Sequence, residues 1–409
     1  MRKFLLLLFL VPASLYAQVN ITGKVVGAEN KKAIPDASVF LSNSGIGDKT
    51  QKDGSFTLRN IKNGRYELVV SCIGYKPYRK NIAVSDNNIH LPTIELEDRI
   101  GELSEVKIRY ESKSDRNKYL RLFTKAFLGN TYNATQCKIV NPDVIDFEYS
   151  KKQEKLTAST SDFLIIDNKA LGYRVRYLVY SFTTDNTGVT SYVGASSFEP
   201  MTGNPLQQKI WQNRRAKTYF GSTMHFLRSC IANAVNENKF TVRELIKPEF
   251  RPTDSFIIEK LRHFYGLYTN AQGLTAASNL KDSINHWKMM YNTSTTVPTA
   301  IEWVLTLNQY IKLTNEKGIY AFGHPSKAVL VNYRNKYNKT DGSSSFVTFV
   351  KPNVFFDSNG VIFTPGDCLF EGYWQSLRVG DQLPVDYELP QENAVQQAAT
   401  PSQDEIPLH

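Results

Sequence analysis

Residues 51–78 read QKDGSFTLRNIKNGRYELVVSCIGYKPY, and this stretch decides how the N-terminal part folds. Asp53-Gly54 and Asn63-Gly64 supply residues that tolerate positive φ, as tight strand connections require. Between them Phe56, Leu58 and Ile61 nearly alternate with polar residues, the period of a half-buried strand. The same texture extends outward through ITGKVV (21–26) and ASVFLS (37–42) before it. After it come RYELVVSCI (65–73) and KPYRKNIAV (76–84). Pro35 sits in a connector, where its missing N–H breaks no ladder. Five short strands with no helical period between them predict a small antiparallel β-sandwich over residues 18–97.

The ordered set Gly23, Pro35, Ala37, Val39, Thr50, Asp53-Gly54, Phe56, Gly64-x-Tyr66 and Ile73-Gly74-Tyr75 closely resembles the carboxypeptidase-regulatory-like domain, a transthyretin-like β-sandwich. In such relatives the module is fused to carboxypeptidases, outer-membrane transporters and other cell-envelope proteins. The resemblance therefore implies a folding, docking or glycan-contacting role, not a catalytic one. Tyr66, Tyr75 and Tyr78 are candidates for an aromatic sugar platform. The residue pattern instead assigns Tyr66 to the sandwich core beside Phe56, with its hydroxyl at the rim.

The chain opens MRKFLLLLFLVPASLYAQ: a basic start, an apolar run and a small-residue end, the order of a secretory signal peptide over residues 1–17. The apolar run falls short of the roughly 20 residues that span a bilayer, and no later stretch reaches that length. Loss of Arg2 and Lys3 with the signal lowers the formal charge from +10 to +8. The basic residues are scattered, with no run longer than that in NRR (213–215), so nucleic acid is not an expected partner. Cys72, Cys137, Cys230 and Cys368 permit two disulfides in an exported chain. Cys72 in LVVSCIGY and Cys230 in MHFLRSCI read instead as small buried hydrophobes.

Residues 98–116 turn to charged composition and read as a linker, with ELSEVKIRY (102–110) as a last strand leading out. Ser114 is the expected cap of an amphipathic helix bearing Leu120, Phe123 and Phe127 on one face. Residues 117–390 then form a larger β-rich domain with a few packed helices, so the fold class is mainly β. Its strands are expected in VIDFEYS (144–150), KLTASTS (155–161), DFLIIDN (162–168) and LGYRVRYLVYSFTTD (171–185). Others are AIEWVLTLNQYIKLT (300–314), GIYAFGH (318–324), SKAVLVNYR (326–334) and NVFFDSNGVIF (353–363), with hairpin turns at Asp341-Gly342 and Asn359-Gly360. Two helices are expected to interrupt them, near 222–238 and 280–290. Residues 391–409 lack aromatics and periodicity and read as a disordered tail. NKALGYRVRYLVYSF, WQNRRAKTYFGSTMHFLRSC and DCLFEGYWQSLRVGDQLPVDYEL resemble the C-terminal part of exported Gram-negative envelope proteins that carry the same N-terminal module. No catalytic residues are established for that group, so none is carried over.

The residues three after His90, His225, His263, His286 and His324 are Thr93, Arg228, Gly266, Met289 and Lys327, and His409 ends the chain. Neither His-x-x-Glu nor His-Glu-x-x-His exists, so the zinc pairs of metallopeptidases are missing from the sequence, and no cofactor is expected. GASSF (194–198) lacks the second glycine of a nucleophile elbow. Ser222 stands three residues before His225, and a helix cap accounts for it. One constellation holds Trp211, Arg214, Arg215, Lys217, His225 and Arg228 beside the start of that helix, a candidate anion site. The alternative packs Trp211 inward and leaves the arginines solvated or paired. The expected function is a non-catalytic binding or assembly role in the cell envelope, periplasmic or at the outer membrane, with a glycan or protein partner. The rival is an exported peptidase or glycosidase whose site is built from distant residues; a deep pocket holding a perturbed histidine or carboxylate pair favours it, and a flat or shallow surface with satisfied polar groups favours binding. An outer-membrane transporter barrel does not fit in the remaining length.

Overall fold

The computed structural model describes residues 19–99, 112–270, 274–334 and 343–390. The expected signal peptide (1–17), the expected strand at 102–110, the expected turn at Asp341-Gly342 and the expected tail at 391–409 lie outside the described residues. The chain divides into two compact units. One comprises Met1–Leu41 with Ile46–Leu103, the other Ser42–Gly45 with Ser104–His409.

The first unit is built from β1 (Val19–Gly27), β2 (Ser38–Leu41), β3 (Gly47–Lys49), β4 (Ser55–Ile61), β5 (Gly64–Ser71), β6 (Tyr78–Val84), β7 (Ile89–His90) and β8 (Ile94–Leu96). One sheet runs β4-β1-β7 with β8 also on β1; the other runs β3-β2-β5-β6. The five expected strands are all present. Pairing is antiparallel except at β1–β7 and β1–β8, which are parallel. That departs from an all-antiparallel sandwich because the chain leaves β6 for the other sheet instead of turning back in a hairpin. Phe56, Leu58 and Ile61 of β4 are buried, as are Tyr66, Leu68 and Val70 of β5, so Tyr66 is core. Gly54 turns at φ +81, and a Cβ there would meet the Val25 carbonyl at 2.4 Å, which explains the Asp-Gly pair. Thr50 Oγ1 donates to the Ile34 carbonyl (2.6 Å) and accepts from the Ala37 N–H (2.8 Å), fixing the connector that holds Pro35.

The second unit opens with α1 (Lys113–Leu128). Its cap is Ser112, not Ser114: Ser112 Oγ accepts from the Asp115 N–H (3.1 Å) and bonds the Asp115 carboxylate (2.8 Å). Only that register places an acid where both partners close. Then follow α2 (Tyr132–Thr135), β9 (Cys137–Ile139), β10 (Ile145–Ser150), β11 (Lys155–Thr160), β12 (Leu164–Asn168), β13 (Tyr173–Asp185) and β14 (Thr190–Pro200). These strands form a sheet ordered β10-β11-β13-β12-β9, with β14 also on β13. Helix α1 lays Phe123 edge-on to Phe147 and Phe182, and Phe127 edge-on to Tyr177. Aromatic burial of this kind, about 2–3 kcal/mol per ring, holds the helix to the sheet.

Next come α3 (Pro205–Tyr219), α4 (Thr223–Ile231), β15 (Phe240–Ile246), α5 (Asp254–Thr269), α6 (Leu274–Asn292) and β16 (Thr299–Val304). The chain continues through α7 (Leu307–Tyr310), β17 (Ile311–Leu313), β18 (Ile319–Phe322), β19 (Ala328–Tyr333), β20 (Ser343–Phe349), β21 (Val354–Asp357), β22 (Cys368–Gly372) and α8 (Tyr373–Ser376). A second sheet is ordered β16-β15-β19-β20-β22, and a small one β17-β18-β21. Phe226 of α4 is fully buried against Phe240, Phe322 and Trp374. The expected helix over 222–238 stops at Ile231, where Asn233 takes φ +51. Helices α3 and α5 were not among the expected elements. The single strand expected over 300–314 is split by α7, where Thr306 and Gln309 form a capping box. All four cysteines are free, with Cys230 and Cys368 buried. Among the described residues no helix is long and apolar enough to cross a membrane.

Candidate functional site

Strand β15, FTVRELI, sets the chemistry of the second unit. Side chains two apart share a strand face, so Glu244 lies in line with Phe240, Val242 and Ile246, all buried. Phe240 and Val242 belong to the core around α4, while Ile246 joins Ile257 of α5 and Met290 of α6. Glu244 sits between these clusters and is 5% exposed. Opposite it the ladder is irregular: Arg243 pairs with Val304 and Leu245 with Ala300, so Ile301–Trp303 stand against Glu244 alone. Such a bulge re-aims side chains and is frequent beside functional sites.

Glu244 opens onto a cavity of about 880 Å³, within the range of small-ligand sites. Trp287 of α6 and Trp303 of β16 line it, with Asp282, His286, Gln309 and His324 among its polar groups. Asp282 and His286 stand one helical turn apart on α6. His286 Nδ1 is 3.8 Å from Glu244 Oε2, beyond hydrogen-bond reach. Among the described residues no hydrogen bond reaches the Glu244 carboxyl, so it is a buried acid that faces open space. Burial pushes it up to about 7, and the same cause pushes His286 down. His324 is driven down to about 4, by burial first and the neighbouring His286 second. The histidines are therefore neutral at pH 7, while Glu244 is poised between its two forms.

His324 lies just past β18, and its Nδ1 is 2.7 Å from Ser326 Oγ, which in turn donates to the Ala328 carbonyl (2.9 Å). The Ser326 hydroxyl is thus committed to a local turn. A histidine held near 4, with no carboxylate against it in this turn, is a weak general base. Among the described residues no group of three or more His, Cys, Asp or Glu side chains is set to hold a metal ion.

The six residues of the sequence-derived anion site do not converge. Trp211 is buried and donates from Nε1 to the Lys169 carbonyl (3.0 Å). Arg215 lies 3.9 Å over the Tyr173 ring and donates to the carbonyls of Leu171 (2.7 Å) and Gly172 (2.9 Å). Arg228 donates to Asn359, Tyr387 and Val385, each at 2.8 Å. His225 is 3% exposed, ringed by Tyr219 and Phe240, and pushed down to about 3 by burial and by Arg228. Its Nδ1 accepts the Gly221 N–H, while Ser222 caps α4 through the His225 N–H, so neither is poised for nucleophilic chemistry. Only Arg214 and Lys217 share an open feature, a cleft of about 430 Å³, where Arg214 bonds the Tyr132 hydroxyl (3.1 Å). That cleft also holds Asp381, bonded by Thr131 (2.7 Å) and Asn133 (2.9 Å).

Sequence reasoning passed over Glu244, His286 and His324. The available signal was an acid in phase with the apolar positions of FTVRELI, where a polar residue on a core face calls for a reason.

Residues 21–108 match the model of the CarboxypepD_reg-like domain. No curated protein matches the chain in sequence. Solved structures that are similar over parts of it include the following three. A cohesin–X-dockerin complex from Acetivibrio cellulolyticus is 14% identical, covering 19% of this chain and 56% of that one, with a TM-score of 0.18. The pilus 2b backbone protein of group B streptococcus is 18% identical, covering 20% and 41%, with a TM-score of 0.17. A protein of unknown function described as membrane-associated, from Bacteroides fragilis, is 8% identical, covering 83% and 92%, with a TM-score of 0.17. The chain thus spans about half the length of the first of these, and TM-scores this low carry no argument.

Proposed function

We propose that this chain, whose residues 21–108 are a CarboxypepD_reg-like domain, is an exported binding protein. In this reading the N-terminal unit docks in the cell envelope and the second unit captures a polar ligand with apolar faces, of which a saccharide is the type. The observation that carries it is the cavity itself. Two tryptophans offer flat apolar surface, and Glu244, Asp282, Asn285 and Gln309 offer hydrogen bonds to hydroxyls. The test is calorimetric titration of the purified mature chain with oligosaccharides, after a glycan array has chosen them. Trp287→Ala and Trp303→Ala are expected to weaken capture at least tenfold while leaving the N-terminal unit's melting unchanged. Full retention in both variants removes the cavity from consideration.

A second reading has one observation in its favour. A perturbed carboxyl and two histidines in one cavity favour an exported hydrolase. Against it stand the Ser326 hydroxyl bonded to a backbone carbonyl and a His324 held near 4. Turnover of a glycoside or peptide, abolished by Glu244→Gln, decides for the hydrolase. The anion-site idea narrows to Arg214 and Lys217, where a carboxylate or phosphate on an envelope polymer would bind. Unchanged low-salt binding to anionic glycans in Arg214→Ala, Lys217→Ala removes it.

A further inference from the structure

We infer that the ligand of the Glu244 cavity carries an organic ammonium group, held between the Glu244 carboxylate and the Trp287 and Trp303 faces. This rests on the reading that the cavity binds a ligand, and adds its charge.

In a chain of formal charge +10, the cavity has the opposite character. Its lining includes Glu244 and Asp282, and no lysine or arginine lines it among the described residues. Several basic residues next in sequence to the lining are engaged elsewhere: Lys247 pairs with Glu371 and Lys288 lies over the Tyr265 ring. Arg251 donates to Thr293, Asp254 and the carbonyls of Pro252 and Tyr291, while Lys327 lies over the Phe250 ring. The aromatic walls are the two residues with the strongest attraction for a cation, since tryptophan has the most negative ring face. Glu244 supplies the independent sign. It is 5% exposed, faces the cavity and receives no hydrogen bond among the described residues. A buried carboxylate left this way is costly, and a bound cation removes the cost. Neither histidine supplies that cation at pH 7, because both are pushed down.

A neutral sugar hydroxyl would donate one hydrogen bond and leave the charge uncompensated. An ammonium donates up to three and cancels it. The titratable groups lining the cavity with Glu244 are Asp282 and His286 of α6 and His324 past β18; β19 sets Val329 opposite it, and β16 carries the exposed Glu302. With Glu244 poised near neutrality, capture of an ammonium shifts it to the carboxylate and expels a proton.

The test is calorimetric titration at pH 7 with a glucosamine disaccharide bearing free amines and with its N-acetylated counterpart, in two buffers of different ionisation enthalpy. The inference expects the free amine to bind at least tenfold tighter, with proton release that the acetylated sugar does not give. Glu244→Gln is expected to erase both the preference and the proton release. Asp282→Asn is expected to reduce the preference and keep the proton release, and serves if the first variant does not fold. Equal binding of the two sugars, or preference for the acetylated one, overturns the ammonium and leaves the cavity reading standing. Binding of neither also overturns the ammonium, while the cavity reading is decided separately by the tryptophan variants and the array-chosen oligosaccharides.

Discussion

Replacing Glu244 with Gln keeps the shape of the side chain and deletes its titration. Burial lifts this carboxyl from an ordinary 4.5 to about 7, so between those values the folded chain keeps a proton that the unfolded chain gives up. For a folded-state pKa raised above the unfolded one, the stabilisation is complete below pH 4.5 and is lost as pH rises through 7. The span is worth about 3 kcal/mol in full. Glutamine does not titrate, so the stability difference between Glu244→Gln and the parent should move in the variant's favour by about that amount from pH 4.5 to pH 8. Urea unfolding followed by tryptophan fluorescence suits the measurement, because Trp211, Trp287, Trp303 and Trp374 all belong to the second unit. A difference that is flat with pH, or that moves toward the parent as pH rises, would show that Glu244 is solvated or ion-paired, and the charge argument for its ligand would go with it.

Arg228→Met leaves the carbonyls of Asn359, Val385 and Tyr387 without their donor, and should cost about 3 kcal/mol or more in urea unfolding. Gly172→Ala should cost about 3 kcal/mol, since Gly172 takes φ +67 and an added Cβ would lie 2.1 Å from the Trp211 ring; a native-like melting temperature refutes the packing described. Arg215→Ala should destabilise by about 2 kcal/mol through its two lost carbonyl bonds, whereas Arg214→Ala should stay within about 0.5 kcal/mol. His225 must stay neutral in the fold, and its lowered pKa means that stability present above pH 6.5 is lost progressively toward pH 3. His225→Gln, which cannot take up the proton, should flatten that acid limb.

The N-terminal unit was legible because its determinants are local. Asp53-Gly54 and Phe56, Leu58, Ile61 specify turn and face within a few residues, and β4 and β5 lie within two residues of the expected ends. The second unit was less so. β14, with TSYVGASSFEP, shows little apolar alternation because its order comes from pairing along β13, a partner that no local pattern announces. The α1 cap, Ser112, lies two residues before the expected Ser114; both candidates are serine, and the side-chain bond to Asp115 chooses between them. The candidate anion site was read from proximity in sequence, yet on helix α3 neighbouring residues point to different faces. Arg214 therefore reaches an open cleft while Arg215 turns under Tyr173. Glu244, His286 and His324 come from a strand, a helix and a loop spread over eighty residues, and only the tertiary fold gathers them.

The three carbonyls held by Arg228 bear on the order in which the polypeptide is made. Helix α4 can form soon after its residues leave the ribosome, but the acceptors for its guanidinium follow 131 to 159 positions later. Until Tyr387 has emerged, that guanidinium lacks the full set of carbonyls that satisfies it in the fold, and burying it earlier would leave its donors unmet. The second unit therefore cannot complete this set of bonds until the chain has been made through Tyr387, so α4 takes its final seat only after residues 359–387 are available.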